Sequence, residues 1–367
     1  MCGLRATKSA LVISPLLPEP PVTGGQKRTL RLLEAMERAR LVPHVLTADA
    51  GAEGAAQRLR DRGWTVDVLP EAEQSLIGRA RQHLARLPSP RLRGVGARFE
   101  ELAPGAALVQ FEHTQSAYYP VPAGVPSVLS LHNVDSAMAQ PYLRARAFRA
   151  VERRAYPRMD RVLCVSAADA AAVRARGGHA VLAPNGVDDA FFAVQGQPAA
   201  ERALFFGAMD YAPNRRGLER FLAEGWPVVQ RALPGARLQI AGPGSERFEG
   251  GLGLVEDLPA VLAAARAVVV PIWEGGGTRL KVLEALAAGR AVVSTPLGAE
   301  GIGFEDGRHG LLASTAEGLG AALATVLADP ASFGAEGRKL AERFRWPDAL
   351  AAASGFYAKV ALMSRPS

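Results

Sequence analysis

The sequence is poor in cysteine and in aromatic side chains: 367 residues include two cysteines and 6% aromatics. Two cysteines cannot form a disulfide framework, and Cys164 lies in an apolar run that predicts a buried thiol, so we expect a reducing compartment. No apolar run reaches the ~18 residues of a membrane span. Prolines interrupt the first apolar run, which argues against a signal peptide. We therefore expect the chain in the cytoplasm.

The chain also lacks the short motifs that are typical of metal and ATP chemistry. It contains no Cys-x-x-Cys pair, no His-Glu-x-x-His segment, no Asp-x-Asp triplet and no Gly-x-x-x-x-Gly-Lys-Ser/Thr loop. These are the patterns by which metal ions and the phosphates of ATP are commonly held. We therefore expect no metal ion and no cofactor.

The charge is moderately basic, with 43 Lys and Arg against 36 Asp and Glu and a net charge of +7. No long basic block or recognition motif is present, so nucleic acid is not an expected partner. Three explanations of the positive charge are left: an anionic substrate, a peripheral contact with an anionic membrane and a solvated arginine-rich surface. Arg146, Arg149 and Arg153 share one helical face, and for this group a solvated surface is the preferred interpretation.

Short apolar runs alternate with helical patterns along the whole chain. Thirteen such runs, among them Arg237–Ala241 and Gly253–Val255, predict an α/β protein with parallel, doubly wound sheets. Thirteen strands are too many for one ordinary sheet. The turn-rich segment Pro184–Asp188 is the predicted boundary. We expect an N-terminal domain at 1–185, a C-terminal domain at 186–345 and a final amphipathic helix at 346–367.

The most informative segment combines a strand, a glycine turn, a helix and a second strand. The apolar run Ala267–Ile272 and the run Ala291–Thr295 are the strands, and Arg279–Ala288 carries strong helix formers. Thr278 is the expected N-cap of this helix. Together they predict a parallel βαβ unit. The turn between strand and helix consists of Gly275, Gly276 and Gly277.

This glycine turn has the features of an anion site. It lies at the positive end of the predicted helix, where backbone N–H groups are free, and bare glycines allow close approach. Arg279 and Lys281 place two cations there, which is unfavourable beside a helix N-terminus unless an anion binds. The segment therefore predicts a seat for a diphosphate.

With three further motifs, this segment resembles the GT-B glycosyltransferases, specifically family four of retaining, nucleotide-sugar-dependent enzymes. The motifs are Phe206–Asn214, Ile240–Gly244, Gly275–Glu284 and Ser294–Gly301. The resemblance implies two Rossmann-like domains that face an interdomain cleft, with the acceptor on the N-terminal side and the donor on the C-terminal side. It also implies that the final helix packs back on the N-terminal domain.

The sequence departs from the usual family pattern at the glutamate pair. Family members carry two glutamates separated by seven residues, and counting back from Glu284 gives Gly276, whereas Glu274 lies two residues too early. The resemblance implies that Glu284 accepts hydrogen bonds from the ribose hydroxyls. For Glu284 the alternative is a helix-surface residue paired with Lys281, and contact of Glu274 with the sugar is left open.

The basic pair of the family is also altered. Ala208 stands where the arginine is expected, and Arg215 or Arg216 replaces the lysine. The Thr-Arg-Leu-Lys turn is similar to that of a subset of the family. We infer that Arg279 and Lys281 supply the missing phosphate charge.

The resemblance implies a set of site residues in both halves. His132 follows the run Ser127–Leu131 and is expected beside the reacting sugar, so His132, Arg279 and Lys281 are the candidate catalytic residues. The segment Glu112–Thr114 is a candidate for acceptor binding, and Lys27 and Arg28 are candidates to assist a glycine loop. The donor-binding candidates are Gly24, Gly25, Gly207, Asn214, Arg216, Gly275, Gly276, Gly277, Thr278, Leu280 and Glu284.

These features predict a metal-independent, retaining glycosyltransferase. Its donor would be a nucleotide diphosphate sugar, and its acceptor a glycan, a lipid-linked molecule or a small molecule. Two alternatives stay open on the same fold: a nucleotide-sugar epimerase and a non-catalytic nucleotide-sugar-binding subunit.

Overall fold

A computed structural model describes residues 8–21, 23–49, 52–70, 94–138, 142–196, 201–275, 279–329 and 333–363. The chain divides into two compact α/β units. Unit 1 comprises Met1–Asn185 and Leu350–Ser367, and unit 2 comprises Gly186–Ala349. The expectation of two parallel sheets is confirmed.

Unit 1 is built on a seven-stranded parallel sheet in the order β3-β2-β1-β4-β5-β6-β7. The strands read as nearly continuous apolar runs, because helices cover both faces of a parallel sheet. They are β1 (Lys8–Ile13), β2 (Leu41–Thr47), β3 (Thr65–Val68), β4 (Leu108–Glu112), β5 (Ser127–Ser130), β6 (Arg161–Cys164) and β7 (Ala180–Leu182).

The helices of unit 1 connect these parallel strands. Thr23 begins the first of them with a capping box: its hydroxyl accepts from the Gln26 backbone N–H, and the Gln26 side-chain oxygen accepts from the Thr23 backbone N–H. The helices described before the boundary are α1 (Gly24–Arg38), α2 (Glu53–Asp61), α3 (Gly96–Leu102), α4 (Asp135–Met138), α5 (Tyr142–Ala155) and α6 (Ala167–Arg174).

Unit 2 contains a six-stranded parallel sheet in the order β10-β9-β8-β11-β12-β13. Separate apolar clusters around Val268 and Val269 cover its two faces, as the alternation of side chains along a strand requires. The strands are β8 (Arg202–Phe206), β9 (Arg237–Ala241), β10 (Gly251–Gly253), β11 (Ala267–Val270), β12 (Ala291–Ser294) and β13 (Gly310–Leu312).

The helices of unit 2 follow the same alternation. They are α7 (Asp189–Phe192), α8 (Ala212–Arg220), α9 (Trp226–Ala232), α10 (Leu258–Ala264), α11 (Leu280–Ala287), α12 (Ala316–Ala328), α13 (Gly334–Glu342) and α14 (Trp346–Ala349). A π-helical turn, Phe221–Gly225, separates α8 from α9. Pro227 lies in the first turn of α9 and has no N–H to donate, so the regular bonding of one long helix is broken there.

The last helix, α15 (Ala351–Leu362), belongs to unit 1. The single helix expected at 346–367 is instead two helices in the described residues, because Leu350 leaves the helical conformation with φ −100° and ψ 9°. Lys8 of β1 donates from Nζ to the carbonyl oxygens of Ala361 (2.7 Å) and Met363 (2.6 Å). These bonds satisfy carbonyls at the end of α15, where no helical partner is available.

Two boundaries in unit 2 differ from the sequence-based expectation. The strand expected at Gly253–Val255 lies at Gly251–Gly253, since its pairing with β9 shifts register there and the Gly253 amide donates to Ser245. The helix expected to start at Arg279 starts at Leu280. Among the described residues, no helix is long and apolar enough to cross a membrane.

Candidate active site

In unit 2 the candidate residues gather where β8 and β11 end. Arg279 holds the N-cap position of α11 with φ −81° and ψ 53°, and its carbonyl accepts from the amides of Val282 and Leu283. Thr278 was expected in that position, and the expectation is wrong by one residue because Arg279 itself has the non-helical backbone of a cap. Gly276, Gly277 and Thr278 lie outside the described residues.

Lys281 points to the end of β8 and is not a solvated helix-start residue. Its Nζ donates to Asn214 Oδ1 at 2.7 Å and lies 4.6 Å from the ring centroid of Phe205. Burial lowers the pKa of Lys281 to about 7, against a partial opposing effect of Glu284. At neutral pH the ammonium group therefore loses its proton easily. A bound anion would stabilise its protonated form.

Gly207 makes this arrangement possible. Its φ is +154°, and a Cβ at this position would lie 2.7 Å from Asn214 Nδ2 and 3.1 Å from Lys281 Nζ. Asn214 Nδ2 also donates to the Ala208 carbonyl at 2.9 Å. Three residues singled out from the sequence, Gly207, Asn214 and Lys281, thus form one contact group. Phe205, beneath Lys281, was missed because an apolar strand residue carries no signal of such a role.

Arg279 is also largely buried, with 10% of its side chain exposed. Its Nη2 lies 3.6 Å from Glu300 Oε2, and its buried Nε has no hydrogen-bond partner among the residues that the structure describes. Burial lowers the pKa of Arg279, with Glu300 opposing the shift. A buried guanidinium N–H without a partner is costly, and an anion would satisfy it.

Glu284 lies inside the unit, with 5% of the residue exposed. The alternative was a helix-surface glutamate paired with Lys281; burial contradicts the surface position, whereas the electrostatic interaction with Lys281 is present. Glu284 sits one turn after Leu280 on α11, and its charge favours the protonated form of Lys281. The start of α11 thus carries a charged group in which Glu284 is buried and Arg279 and Lys281 are partly buried.

Arg216 and Glu274 are paired with each other at the surface. Arg216 Nη1 lies 3.0 Å from Glu274 Oε1, and both side chains are about half exposed. Arg215 instead donates weakly to the Met209 carbonyl at 3.4 Å. Next to Glu274, Gly275 has φ +100°, and a Cβ there would meet the Tyr211 hydroxyl at 2.8 Å.

In unit 1 the candidate residues gather where β4 and β5 end. His132 Nε2 lies 2.9 Å from Glu112 Oε2, and its ring stacks on His113 with centroids 3.8 Å apart. Burial, with the charge of Arg28, lowers the pKa of His132 to about 3. Burial and His132 lower the pKa of His113 to about 3 as well. Both imidazoles are neutral at physiological pH.

Glu112 is fully buried, so the expectation that it contacts an acceptor is wrong. Its Oε1 accepts from Gln110 Nε2 at 2.6 Å and its Oε2 from the Thr29 hydroxyl at 3.2 Å. Burial raises the pKa of Glu112, while Gln110, His113 and Arg28 oppose that shift. The alternation Gln110-x-Glu112 on an otherwise apolar strand was the one sequence signal of this internal role.

Gly25 lies against His132. The helix α1 starts at Gly24, and a Cβ on Gly25 would lie 2.9 Å from His132 Nδ1. The expectation that Arg28 assists this glycine loop is wrong. Arg28 is fully buried on the inner side of α1, where its Nη1 donates to the Ala183 carbonyl at 2.6 Å and to Asn185 at 3.1 Å.

Two family models match the chain in consecutive regions. Residues 22–191 match "Glycosyltransferase Family 4", and residues 200–329 match "Glycosyl transferases group 1". Together the two matches cover most of the sequence. The chain belongs to glycosyltransferase family four.

Curated relatives align with part of this family member. A phosphatidyl-myo-inositol mannosyltransferase of Mycolicibacterium smegmatis is 33% identical over 197 residues, which cover 47% of this chain and 50% of the relative. A glycogen synthase of Mycobacterium tuberculosis is 30% identical over 200 residues, 47% of either chain. The chain thus aligns with about half the length of these relatives.

Solved structures of similar fold cover nearly the whole chain. A sucrose-phosphate synthase from Thermosynechococcus elongatus superposes with a TM-score of 0.70 at 18% identity and covers 96% of this chain and 99% of that one. HepE from Anabaena, solved with UDP and glucose, gives a TM-score of 0.71 at 16% identity and covers 96% and 100%. With its two parallel-sheet units, the family-four chain has the GT-B fold.

Proposed function

We propose that the chain is a retaining glycosyltransferase. It would move a sugar from a nucleotide diphosphate sugar to a glycan, a lipid-linked molecule or a small-molecule acceptor. The observation that carries the proposal is the charged, partly to fully buried group of Arg279, Lys281 and Glu284 at the start of α11, at the carboxyl ends of parallel strands. Ligands of doubly wound sheets bind at such ends. HepE, a protein of similar fold, was solved with UDP-glucose, which supports a donor of this class.

The diphosphate would lie at the start of α11. Its oxygens would accept from the Arg279 Nε, which has no partner in the described part of the chain, and from the Lys281 ammonium. When the bond between sugar and phosphate breaks, negative charge grows on the diphosphate. Both cations then attract it more strongly, so the fixed charges would lower the barrier without a metal ion.

The ribose and the sugar would have separate partners. Glu284 is an acceptor-only group when ionised, suited to two neighbouring ribose hydroxyls. His132 is assigned to the reacting sugar, as the family resemblance implies. In the transfer, the acceptor hydroxyl oxygen bonds to the anomeric carbon, the bond to the phosphate oxygen breaks, and the departing phosphate takes the hydroxyl proton. No separate base is then required.

The test begins with a thermal-shift screen of nucleotide sugars, because a ligand that binds only the folded state raises its stability. Each hit is then incubated with panels of the three acceptor classes, and NMR reads the anomeric configuration of the product. We expect a glycoside of unchanged configuration and a free nucleoside diphosphate. Inverted configuration would refute the retaining mechanism. An isomerised nucleotide sugar would identify an epimerase, and binding without any turnover would identify a non-catalytic subunit.

A further inference from the structure

A chain of three buried hydrogen bonds connects α15 to His132. The Tyr357 hydroxyl donates to Gln110 Oε1 at 2.6 Å, Gln110 Nε2 donates to Glu112 Oε1 at 2.6 Å, and Glu112 Oε2 lies 2.9 Å from His132 Nε2. Tyr357, Gln110 and Glu112 are all fully buried. Because bulk solvent does not reach these side chains, each depends on its protein partner, and the direction of each hydrogen bond constrains that of the next.

The direction can be followed from the tyrosine end. Burial raises the pKa of Tyr357, so the phenol keeps its proton and donates it. Gln110 must then turn its oxygen to Tyr357 and its NH2 group to Glu112. Glu112 receives this N–H at Oε1 and the Thr29 hydroxyl at Oε2. Burial raises the pKa of Glu112, and the Gln110 hydrogen bond and the charges of His113 and Arg28 oppose that shift. Both hydrogen bonds thus use the carboxylate as an acceptor.

An acceptor at Glu112 determines the tautomer of His132. The ring is neutral, so only one of its nitrogens carries a proton, and that nitrogen must be Nε2. Nδ1 is then the acceptor nitrogen. It lies on the ring edge that faces Gly25 at the start of α1, while His113 covers one face of the ring.

We propose that Glu112, Gln110 and Tyr357 are positioning residues that hold His132 in its Nε2-protonated form, with Nδ1 as a hydrogen-bond acceptor for a substrate hydroxyl. The proposal rests on the proposed function, which assigns His132 to the reacting sugar. It gives α15 a role in the site: this helix sets the orientation of the Gln110 amide, and through Glu112 that of the imidazole.

The proposal makes a specific prediction for Glu112→Gln. Gln110 still presents its NH2 group, so the new amide must turn its oxygen to Gln110 and its own NH2 group to His132. His132 Nε2 then has to accept, and the proton moves to Nδ1. The additional change Tyr357→Phe frees the Gln110 amide to turn over. In the double variant, residue 112 can again present an oxygen to His132, and the tautomer should return to Nε2–H.

The tautomer is read directly from ring ¹H–¹⁵N correlation spectra of ¹⁵N-histidine protein without substrate. The chain contains only six histidines, and a His132→Asn variant assigns the signal. We expect Nε2–H in the wild type, Nδ1–H in Glu112→Gln and recovery of Nε2–H in the double variant. Turnover should fall ~10–100-fold in Glu112→Gln with an unchanged KM for the donor, the range known for partners that orient metal-bound histidines. It should recover in the double variant.

A second buried glutamate of unit 1 provides the matched control. Glu152 is also fully buried and accepts from the Ser136 amide and hydroxyl at 2.8 and 2.6 Å. Glu152→Gln should lower the melting temperature, because it replaces a buried carboxylate that accepts hydrogen bonds. It should leave the His132 spectrum and the turnover unchanged. A change in the His132 tautomer with this control would overturn the specific role of Glu112.

The remaining outcomes also decide the question. A wild-type spectrum with Nδ1–H, or an unchanged tautomer in folded Glu112→Gln, would overturn the proposal. Tautomer reversal with wild-type turnover would refute a positioning role in the reaction. Full turnover of His132→Ala would instead remove His132 from the proposed function. That failure is distinguishable, because the ring spectrum is recorded without any substrate.

Discussion

At the scale of single residues, three charged side chains at the start of α11 have lost most of their contact with solvent. Arg279, Lys281 and Glu284 lie within six positions on one helix and are largely buried. A buried charge is costly unless it is paired, so such groups respond strongly to pH and to ligands.

Lys281 should couple diphosphate binding to proton uptake. Burial lowers its pKa to about 7, whereas an unfolded lysine titrates near ~10.4. Between these values the unfolded chain binds more protons, so this lysine makes the free protein more stable as pH rises from about 7 to about 10. A bound diphosphate raises the pKa, and binding at pH 8 should take up a proton. Titration calorimetry in two buffers of different ionisation enthalpy measures it.

The comparison for Lys281 uses two variants. Lys281→Met should abolish the uptake, while Lys339→Met, which removes an exposed lysine of α13, should retain it. Buffer-independent binding enthalpy in the wild type would show that Lys281 does not meet the anion.

Glu284→Gln should weaken donor binding much more than it disturbs folding. Hydrogen bonds to charged groups contribute ~1.5–3 kcal/mol, which corresponds to roughly 10–150-fold in affinity. Titration with the nucleoside diphosphate measures the effect, and circular dichroism checks the fold. Unchanged affinity would reduce Glu284 to a structural partner of α11.

His113 is held in a backbone conformation that suits glycine, with φ 65° and ψ 148°. Such strain costs about 1–3 kcal/mol and is typical of functional sites. His113→Gly and His113→Ala both remove the stacked ring, but only glycine relieves the strain. We therefore expect the glycine variant to be more stable in urea by ~1 kcal/mol. Equal stability of the two variants would mean that the conformation is not strained.

At the scale of elements, the start of α11 carries both cations that we propose to bind the diphosphate. Arg279→Gln with Lys281→Gln should reduce turnover by at least ~10²-fold, the low end for losing one preorganised donor in an enzyme site. Lys339→Gln removes one lysine charge from an exposed part of the same unit and serves as the control. If the folded double variant turns over at the wild-type rate, the diphosphate is held elsewhere, and Arg215 and Arg216 are the next residues to replace.

Element type followed from the sequence more reliably than element ends. Continuous apolar runs were assigned correctly as strands, and β9 (Arg237–Ala241) was predicted to the residue. The shift of β10 depends on its pairing with β9, and the break at Leu350 depends on the local backbone angles. Neither can be predicted from the type of a single side chain. The cap of α11 moved from Thr278 to Arg279 for the same reason.

At the scale of the whole molecule, the chain leaves unit 1 after Asn185 and returns to it at Leu350. The return brings Tyr357 to Gln110 and Lys8 to the end of α15. The last helix is thus a structural part of the unit that carries His132.

Transfer by the whole protein should not require a metal ion. The proposed stabilisation of the leaving diphosphate comes from Arg279, Lys281 and the helix N-terminus. We expect full turnover in excess EDTA. Loss of activity that only a divalent ion restores would contradict this prediction.

The sequence by itself determined the alternation of strands and helices, the parallel sheets and the family motifs. These are local properties, carried by apolar periodicity and by glycines and caps within short segments. The glycine-turn segment singled out Lys281, and the family resemblance implied Gly207, Asn214 and His132 as further candidates; the roles of all four stay predictions.

Only the tertiary structure decided which of these side chains are buried and what they contact. Arg28 meets Ala183 across 155 positions, and Tyr357 meets Gln110 across 247. Contacts of this kind depend on how the strands order in the sheet and on where the last helix docks, which a local pattern does not encode. Burial then changes the chemistry, because removing solvent from Lys281 and His132 is what moves their pKa values.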